Sequence, residues 1–173
     1  MPYYMRVDGV TPKQTATVEK IGGKDNLFPI SSVQYGGGRS IYVEVGSSGS
    51  ADVSQVSISE LTVTRTTDGA SAALQTLLFA PSAAAKTMEI IVPTMDRDGK
   101  GLIPQQLITL EEARISSYSA SGGGEGPTSE SVSVSFTSIA IAHYTQDTSG
   151  EVKKGDTVKF DLKTGKLVSQ ASV

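Results

Sequence analysis

Glycines gather at Gly122-Gly123-Gly124-Glu125-Gly126-Pro127 and bracket the stretch Gly150-Glu-Val-Lys-Lys-Gly155. Glycine-rich loops cradle phosphate when they open a helix whose first N–H groups face the ligand. The first run lacks dinucleotide spacing and leads into the alternating strand Ser131-Val-Ser-Val-Ser-Phe136, so it reads as a solvated loop between two strands. The second has the glycine gap of a Walker loop, but Asp156 stands where lysine is required. Asp96-Arg97-Asp98-Gly99 has the middle of a calcium loop. With Gly99 as the turn glycine, however, Thr94 and Gln105 fall at the first and bidentate ligand positions, too few charged oxygens for tight binding. Asp-Gly is ordinary hairpin chemistry instead. His143 is the single imidazole, which excludes a multi-histidine metal site, and no glycine-flanked serine elbow exists for it to activate. Glu111 and Glu112 are adjacent, so on a strand they point to opposite faces and cannot flank one substrate bond. No catalytic, cofactor-binding or metal-ligating residue is predicted, and the chain is expected not to be an enzyme.

Composition narrows the remaining classes. The sequence has 173 residues, no Cys, and 15 Lys plus Arg against 18 Asp plus Glu, for a formal charge of -3. That length fits one domain covering residues 1–173 without staples. The absence of Cys removes disulfides and thiolate metal sites. Basic residues gather only in the last quarter, which argues against nucleic acid as a partner. The start, MPYYMRVDGV, has neither a basic region followed by an apolar one nor an amphipathic presequence, and no apolar run reaches spanning length. Synthesis in the cytoplasm is expected, without membrane insertion. Export would need a route that reads no cleaved signal.

Period-two patterns dominate the elements that must position these residues. Tyr4–Asp8, Ala16–Ile21 and Phe28–Tyr35 read as strands, with Pro29 marking a beginning or an edge. Ile41-Tyr42-Val43-Glu44-Val45 is bounded by GGGRS and GSSGSAD, the pattern of an extended loop or arm spanning about 36–52. Val53–Thr66 reads as one long strand whose apolar phase shifts between Ile58 and Leu61, as a bulge or a strand buried on both faces would cause. The helix spans about 71–80: Ser71 is placed as N-cap, Leu74, Leu77 and Leu78 share a stripe, and Pro81 stops it. Strands follow at Thr87–Met95, Leu102–Leu110, Ala113–Tyr118 and 131–144, and around Val158, Phe160 and Leu162. About nine or ten strands and one helix make a mainly β chain, a barrel or a sandwich.

Residues 131–144, read as one strand, carry Val132, Val134 and Phe136 on one face and add Ile139 and Ile141 on the other. A strand apolar on both faces needs cover on both. Leu61 and Val63 shift phase in the same way, and one short helix cannot cover every such surface, so oligomerisation is expected.

Leu107-Ile-Thr-Leu-Glu-Glu-Ala-Arg-Ile-Ser-Ser-Tyr118, the run Ser-Gly-Gly-Gly-Glu-Gly-Pro-Thr-Ser-Glu-Ser, Val132-Ser-Val-Ser-Phe136 and Tyr144-Thr-Gln-Asp147 closely resemble the haemolysin-coregulated protein (Hcp) family, the tube subunit of bacterial type VI secretion. The resemblance implies a β-barrel of two sheets with a flanking helix. It implies six-subunit rings stacked into a hollow tube, loaded with a spike and small lumenal effectors, driven by a contractile sheath and secreted through the type VI apparatus. The arm would touch the next ring in the stack. Arg39, Ile41, Tyr42, Val43 and Val45 are therefore expected at ring stacking, and Ile139 and Ile141 at a subunit interface. No cofactor is implied. The mechanics also suit a tail-tube-like subunit of another phage-derived contractile injection machine; a small β-barrel binding module is the remaining alternative.

Overall fold

The computed structural model describes residues 1–16, 18, 20–41, 45–46, 55–80 and 84–173. In chain order the strands are β1 (Tyr3–Val7), β2 (Phe28–Ile30), β3 (Ser32–Gln34), β4 (Gly37–Gly38), β5 (Ser57–Ile58) and β6 (Leu61–Thr66), then the helix α1 (Ser71–Phe79). They continue as β7 (Lys86–Met95), β8 (Leu102–Ser121), β9 (Ser129–Ser135), β10 (Ser138–Gln146), β11 (Val152–Asp161) and β12 (Lys166–Ser169).

The 20-residue strand β8 organises the rest, and it joins what the sequence suggests as two strands. Its first half pairs with β7 and β10, its second half with β9. Between the halves Glu112 takes a left-handed φ of 47°, and the ladder against β7 steps from Met88↔Leu110 to Lys86↔Ala113, one residue longer on β8. A bulge of this kind bends and twists a strand. It sends β8 from one sheet arm into another. The first arm runs β12-β11-β10-β8-β7-β1-β2, and the second runs β8-β9-β6-β3.

The chain is mainly β with one short helix, but its ladders do not close into the implied barrel. Ladders alone leave β2 and β3 unpaired with each other; the circuit is completed by the chain itself through Ser31, whose N–H donates to the Thr64 carbonyl at 2.8 Å. Pro29 lies at the end of the first arm, where a missing N–H is tolerated. β4 and β5 form a separate two-stranded sheet. Val53 lies outside the described residues, and the strand expected over Val53–Thr66 divides into β5 and β6 at Ser59-Glu60. The phase shift marks that break, not a bulge.

Between the arms lies the main core, with Met5, Phe28, Leu61, Val63, Ile90, Ile108, Leu110, Val132 and Val134. On the outer face of the first arm, Tyr4, Ile21, Leu27 and Ile91 form a second cluster, joined by Val18, Leu102 and Leu107. The connection between β1 and β2 covers this face. Residues 16–21 were expected as a strand; among the described ones only Ile21 bridges, to Lys24. Burying Ile21 and Leu27 as a lid takes precedence over strand pairing, so this outer face is covered by the β1–β2 connection, while α1 packs on the main core.

Leu74 is buried and Leu77 and Leu78 pack on the core, as the stripe predicts. Ser71 is not the N-cap: it is the first helical residue, after Ala70, and no side chain caps the helix. Asp68 accepts the Ala70 N–H at 2.8 Å, and the Ser71 hydroxyl is drawn into a buried network.

Candidate assembly surface

The break at Phe136-Thr137 corrects the reading of 131–144 as one two-faced strand. β9 ends at Ser135 and β10 begins at Ser138, and the two belong to different arms. Thr137 makes the crossing, donating its N–H to Glu111 at 3.1 Å while its carbonyl accepts the Leu162 N–H at 2.8 Å. Ile139 and Ile141 lie opposite Leu110 and Ile108 on one side, and opposite Phe160 and Val158 on the other. Directly paired residues share a face. Both isoleucines therefore face inward like the valines of β9.

The first arm is wider than the second, and its inner face overhangs beyond β10. There Ile141, Val158 and Phe160 form one wall of an apolar groove of about 220 Å³, with Tyr35, Val56 and Ile58 as the other. Ile139 is only 6 % exposed and forms floor, whereas Val158 and Tyr35 are each 37 % exposed. Two more apolar side chains, Leu167 and Val168, stand exposed on the free edge strand β12.

The base of the arm forms the hairpin β4–β5, with Gly37 opposite Ile58 and Gly38 opposite Ser57. A Cβ on Gly37 would lie 3.3 Å from the Ser57 carbonyl oxygen, so this approach favours glycine. The Ser59 N–H and hydroxyl both donate to the Gly36 carbonyl, at 2.9 Å each, tying the hairpin to β6. Arg39 and Ile41 are exposed and Val45 fully so. Tyr42 and Val43 lie outside the described residues.

A polar cluster under α1 was not anticipated from the sequence. Arg65 on β6 faces Glu130 on β9, and the two bond at 2.5 Å with side chains 1 % and 0 % exposed. Arg65 also donates to Asp68 at 2.5 Å and to Ser71 at 3.0 Å, and its guanidinium lies 5.2 Å from the Phe28 ring centroid. Ser71 and Tyr118 donate to Glu130, Gln75 donates to Tyr118, and Thr15 donates to Asp68. Burial alone would raise the Asp68 pKa, but bonds from Arg65, Thr15 and the Ala70 N–H outweigh it and the pKa is lowered. Burial, with the Glu130 carboxylate beside it, pushes the Tyr118 phenol up. A sequence signal existed: both charges sit in the core phase of their strands, next to Val63 and Val132.

The glycine motifs and the Asp96–Gly99 motif shape turns, whereas Glu111, Glu112 and His143 lie within strands. Gly122–Gly126 lie in the exposed loop closing the β8–β9 hairpin. Asp96–Gly101 is the β7–β8 turn, with Gly99 at φ 71°. Gln146 donates to Asp96 at 2.8 Å and to the Gly150 carbonyl at 2.9 Å, pinning that turn to the one between β10 and β11. Asp147 accepts from the Ser149 hydroxyl at 2.5 Å, from the Ser149 and Glu151 N–H groups, and from Lys153 at 2.9 Å. These donors, the Ser149 hydroxyl foremost and then Lys153, hold its pKa down to about 2. His143 is exposed on β10 opposite Gln106. Glu111 and Glu112 flank the bulge and pair with Lys159 at 2.8 Å and Lys163 at 2.6 Å. Among the described residues no His, Cys, Asp and Glu group fit to hold a metal occurs, and no helix is long and apolar enough to cross a membrane.

A strand shared between two sheet arms, a flanking helix and a partly covered apolar overhang define a mainly β protein. The family model described as "Type VI secretion system effector, Hcp" matches residues 4–143, so the chain belongs to the Hcp family of type VI secretion, a family of tube-like proteins. Among solved structures it is similar to one described as a type six secretion system protein, at 22% identity and a TM-score of 0.79, covering 96% of this chain and 98% of that one. It is similar also to Hcp1 from Salmonella typhimurium, at 16% identity and a TM-score of 0.66, with coverage of 96% and 98%. Hcp2 from the same organism matches at 15% identity and a TM-score of 0.60, covering 94% of this chain and 97% of its own. At these identities the likeness is one of fold. Among curated proteins none matches the sequence.

Proposed function

We propose that the whole chain is one structural subunit of the type VI secretion inner tube. Six copies close into a ring, rings stack into a hollow tube, and the tube carries small effectors in its lumen. A spike caps it and a contractile sheath drives it out. The subunit is made in the cytoplasm, leaves without a cleaved signal peptide, and turns over no substrate.

The observation that carries this reading is the apolar overhang of Ile141, Val158 and Phe160, half covered by the chain's own hairpin, on a member of the Hcp family. Contiguous apolar surface of this kind marks an interaction site. A ring closes by heterologous contacts, in which one surface of a copy meets a different surface of the next. Ile141, over the floor that Ile139 supplies, serves such a contact. Arg39, Ile41, Tyr42, Val43 and Val45 lie on the arm and serve stacking between rings.

Electron microscopy of purified protein tests the reading: rings with a central hole are expected, and a monodisperse monomer at high concentration overturns it. The variant Tyr42→Asp with Val43→Asp keeps fold and ring but loses stacking. Loss of folded protein instead assigns that segment to the core.

A further inference from the structure

The hairpin β4–β5 covers the overhang without being built into either arm. Its two strands pair only with each other. β4 consists of Gly37 and Gly38 and brings no side chain, so the apolar wall facing Ile141, Val158 and Phe160 comes from Tyr35, Val56 and Ile58. An element that belongs to a core is packed as densely as an organic crystal. This hairpin has open space on both sides: the groove of about 220 Å³ toward β10 and β11, and another of about 180 Å³ toward Ser135, Phe136 and Leu162. Ile58 borders both, and Tyr35 and Val56 stay 37 % and 36 % exposed. The hairpin rests on the overhang and does not interdigitate with it.

Its root is held by a polar clamp. Glu60, in the two-residue break between β5 and β6, accepts from the Ser116 hydroxyl on β8 at 2.9 Å and from the Ser135 hydroxyl on β9 at 2.6 Å. Both strands belong to the second arm. One carboxylate thus fixes the angle at which the hairpin leaves that arm, and with it the width of the groove over the first. Water competes for bonds this exposed, so the clamp is weak and reversible. We propose that the β4–β5 hairpin is a self-cover hinged at Ser59-Glu60, which keeps Ile141, Val158 and Phe160 from a second copy of this chain until it lifts. The proposal rests on the tube reading and adds a regulated step to ring contact. The same apolar groups cannot face the hairpin and a neighbour at once, so closure and assembly compete. A change that weakens closure raises the fraction of competent subunits, and the apparent affinity between copies rises by the same factor.

Two variants weaken closure at different places. Val56→Ser removes part of the apolar wall, and Glu60→Ala removes the clamp without altering the groove toward β10 and β11. Thermal unfolding confirms that each still folds. Sedimentation and electron microscopy over a concentration series then read assembly, and each variant is expected to form rings at on the order of fivefold lower protein concentration than wild type. The chain has no Cys, so Ile141→Cys supplies a single thiol beneath the hairpin. In dilute protein, below the assembly threshold, adding Glu60→Ala to that variant should speed alkylation by iodoacetamide by a similar factor. Unchanged alkylation overturns the proposal. Rings that need as much protein as wild type, or more, make the hairpin a part of the contact or a bystander, and overturn the proposal with the tube reading intact. Protein that stays monomeric in wild type and in both variants overturns the tube reading, while alkylation still decides whether the hairpin lifts.

Discussion

Two regions of the molecule treat polarity in opposite ways. Under α1 it buries Arg65 against Glu130; beyond β10 it leaves Ile141, Val158 and Phe160 partly open. A buried ion pair carries a large desolvation cost and is tolerated when its remaining donors and acceptors are satisfied. Here Ser71, Asp68, Tyr118 and Phe28 supply that satisfaction, so the cluster fixes where the helix, the segment around Thr15 and the second arm sit relative to each other. The overhang needs no such matching. Hydrocarbon in water constrains nothing until another surface covers it, and this leaves it available for a partner. The buried charges specify the fold; the uncovered apolar groups do not.

Breaking the polar side of this contrast has the largest expected effect. Glu130→Ala leaves the Arg65 guanidinium with Asp68 as its remaining carboxylate partner and orphans the Ser71 and Tyr118 hydroxyls, at about 3 kcal/mol in urea unfolding, whereas Arg65→Met with Glu130→Leu should recover part of it. If the double variant is no better than the single, the cluster does not act as a pair. Gly69→Ala comes next. Its Cβ would run into the Lys13 carbonyl and Gln14, so the segment carrying Thr15 must move, at about 1–3 kcal/mol. Hydrogen exchange should show the opening confined to that segment and the start of α1.

On the apolar side, Ile141→Ser should lower monomer stability by only roughly 1 kcal/mol, because the residue is half-buried. Ring formation should nonetheless be lost in electron micrographs. A stability loss several times larger, with rings intact, would move Ile141 from contact surface to core. The smallest effect is a titration. Asp147 is held at about 2 in the folded chain, below its unfolded value, so its contribution to stability is present above the unfolded value and disappears as pH falls through about 2. Its carboxyl resonance in NMR should titrate near pH 2 in the native protein. A midpoint near the free carboxylate value means the bonds from Ser149 and Lys153 do not hold in solution.

Much of the fold was legible in the residues. Alternation located most strands, Leu74 and its neighbours the helix, and Asp98-Gly99 the β7–β8 turn. What misled was continuity. The run 131–144 alternates without interruption, yet Thr137 bonds to Glu111 and Leu162 and turns the chain from one arm to the other. Conversely, Glu111-Glu112 looked like a boundary and is a bulge inside a single strand. Alternation reports which side chains can share a face, not which partner strand supplies the ladder. Ser71 shows the same limit: hydroxyls favour N-caps, but Arg65 and Glu130 compete for this one from elsewhere in the sequence.

By itself the sequence determined the β class, the single short helix, the glycine-bounded arm and the resemblance to Hcp, since each depends on local spacing or on residues adjacent in the chain. Tertiary structure alone decided that β8 serves two arms, that the β1–β2 connection covers the outer face, and that Arg65 and Glu130 meet in the interior. It also decided which apolar residues stay uncovered. Cover, pairing and burial are properties of segments far apart in the chain, and period-two spacing is the same whether a side chain finds its own core or waits for another copy.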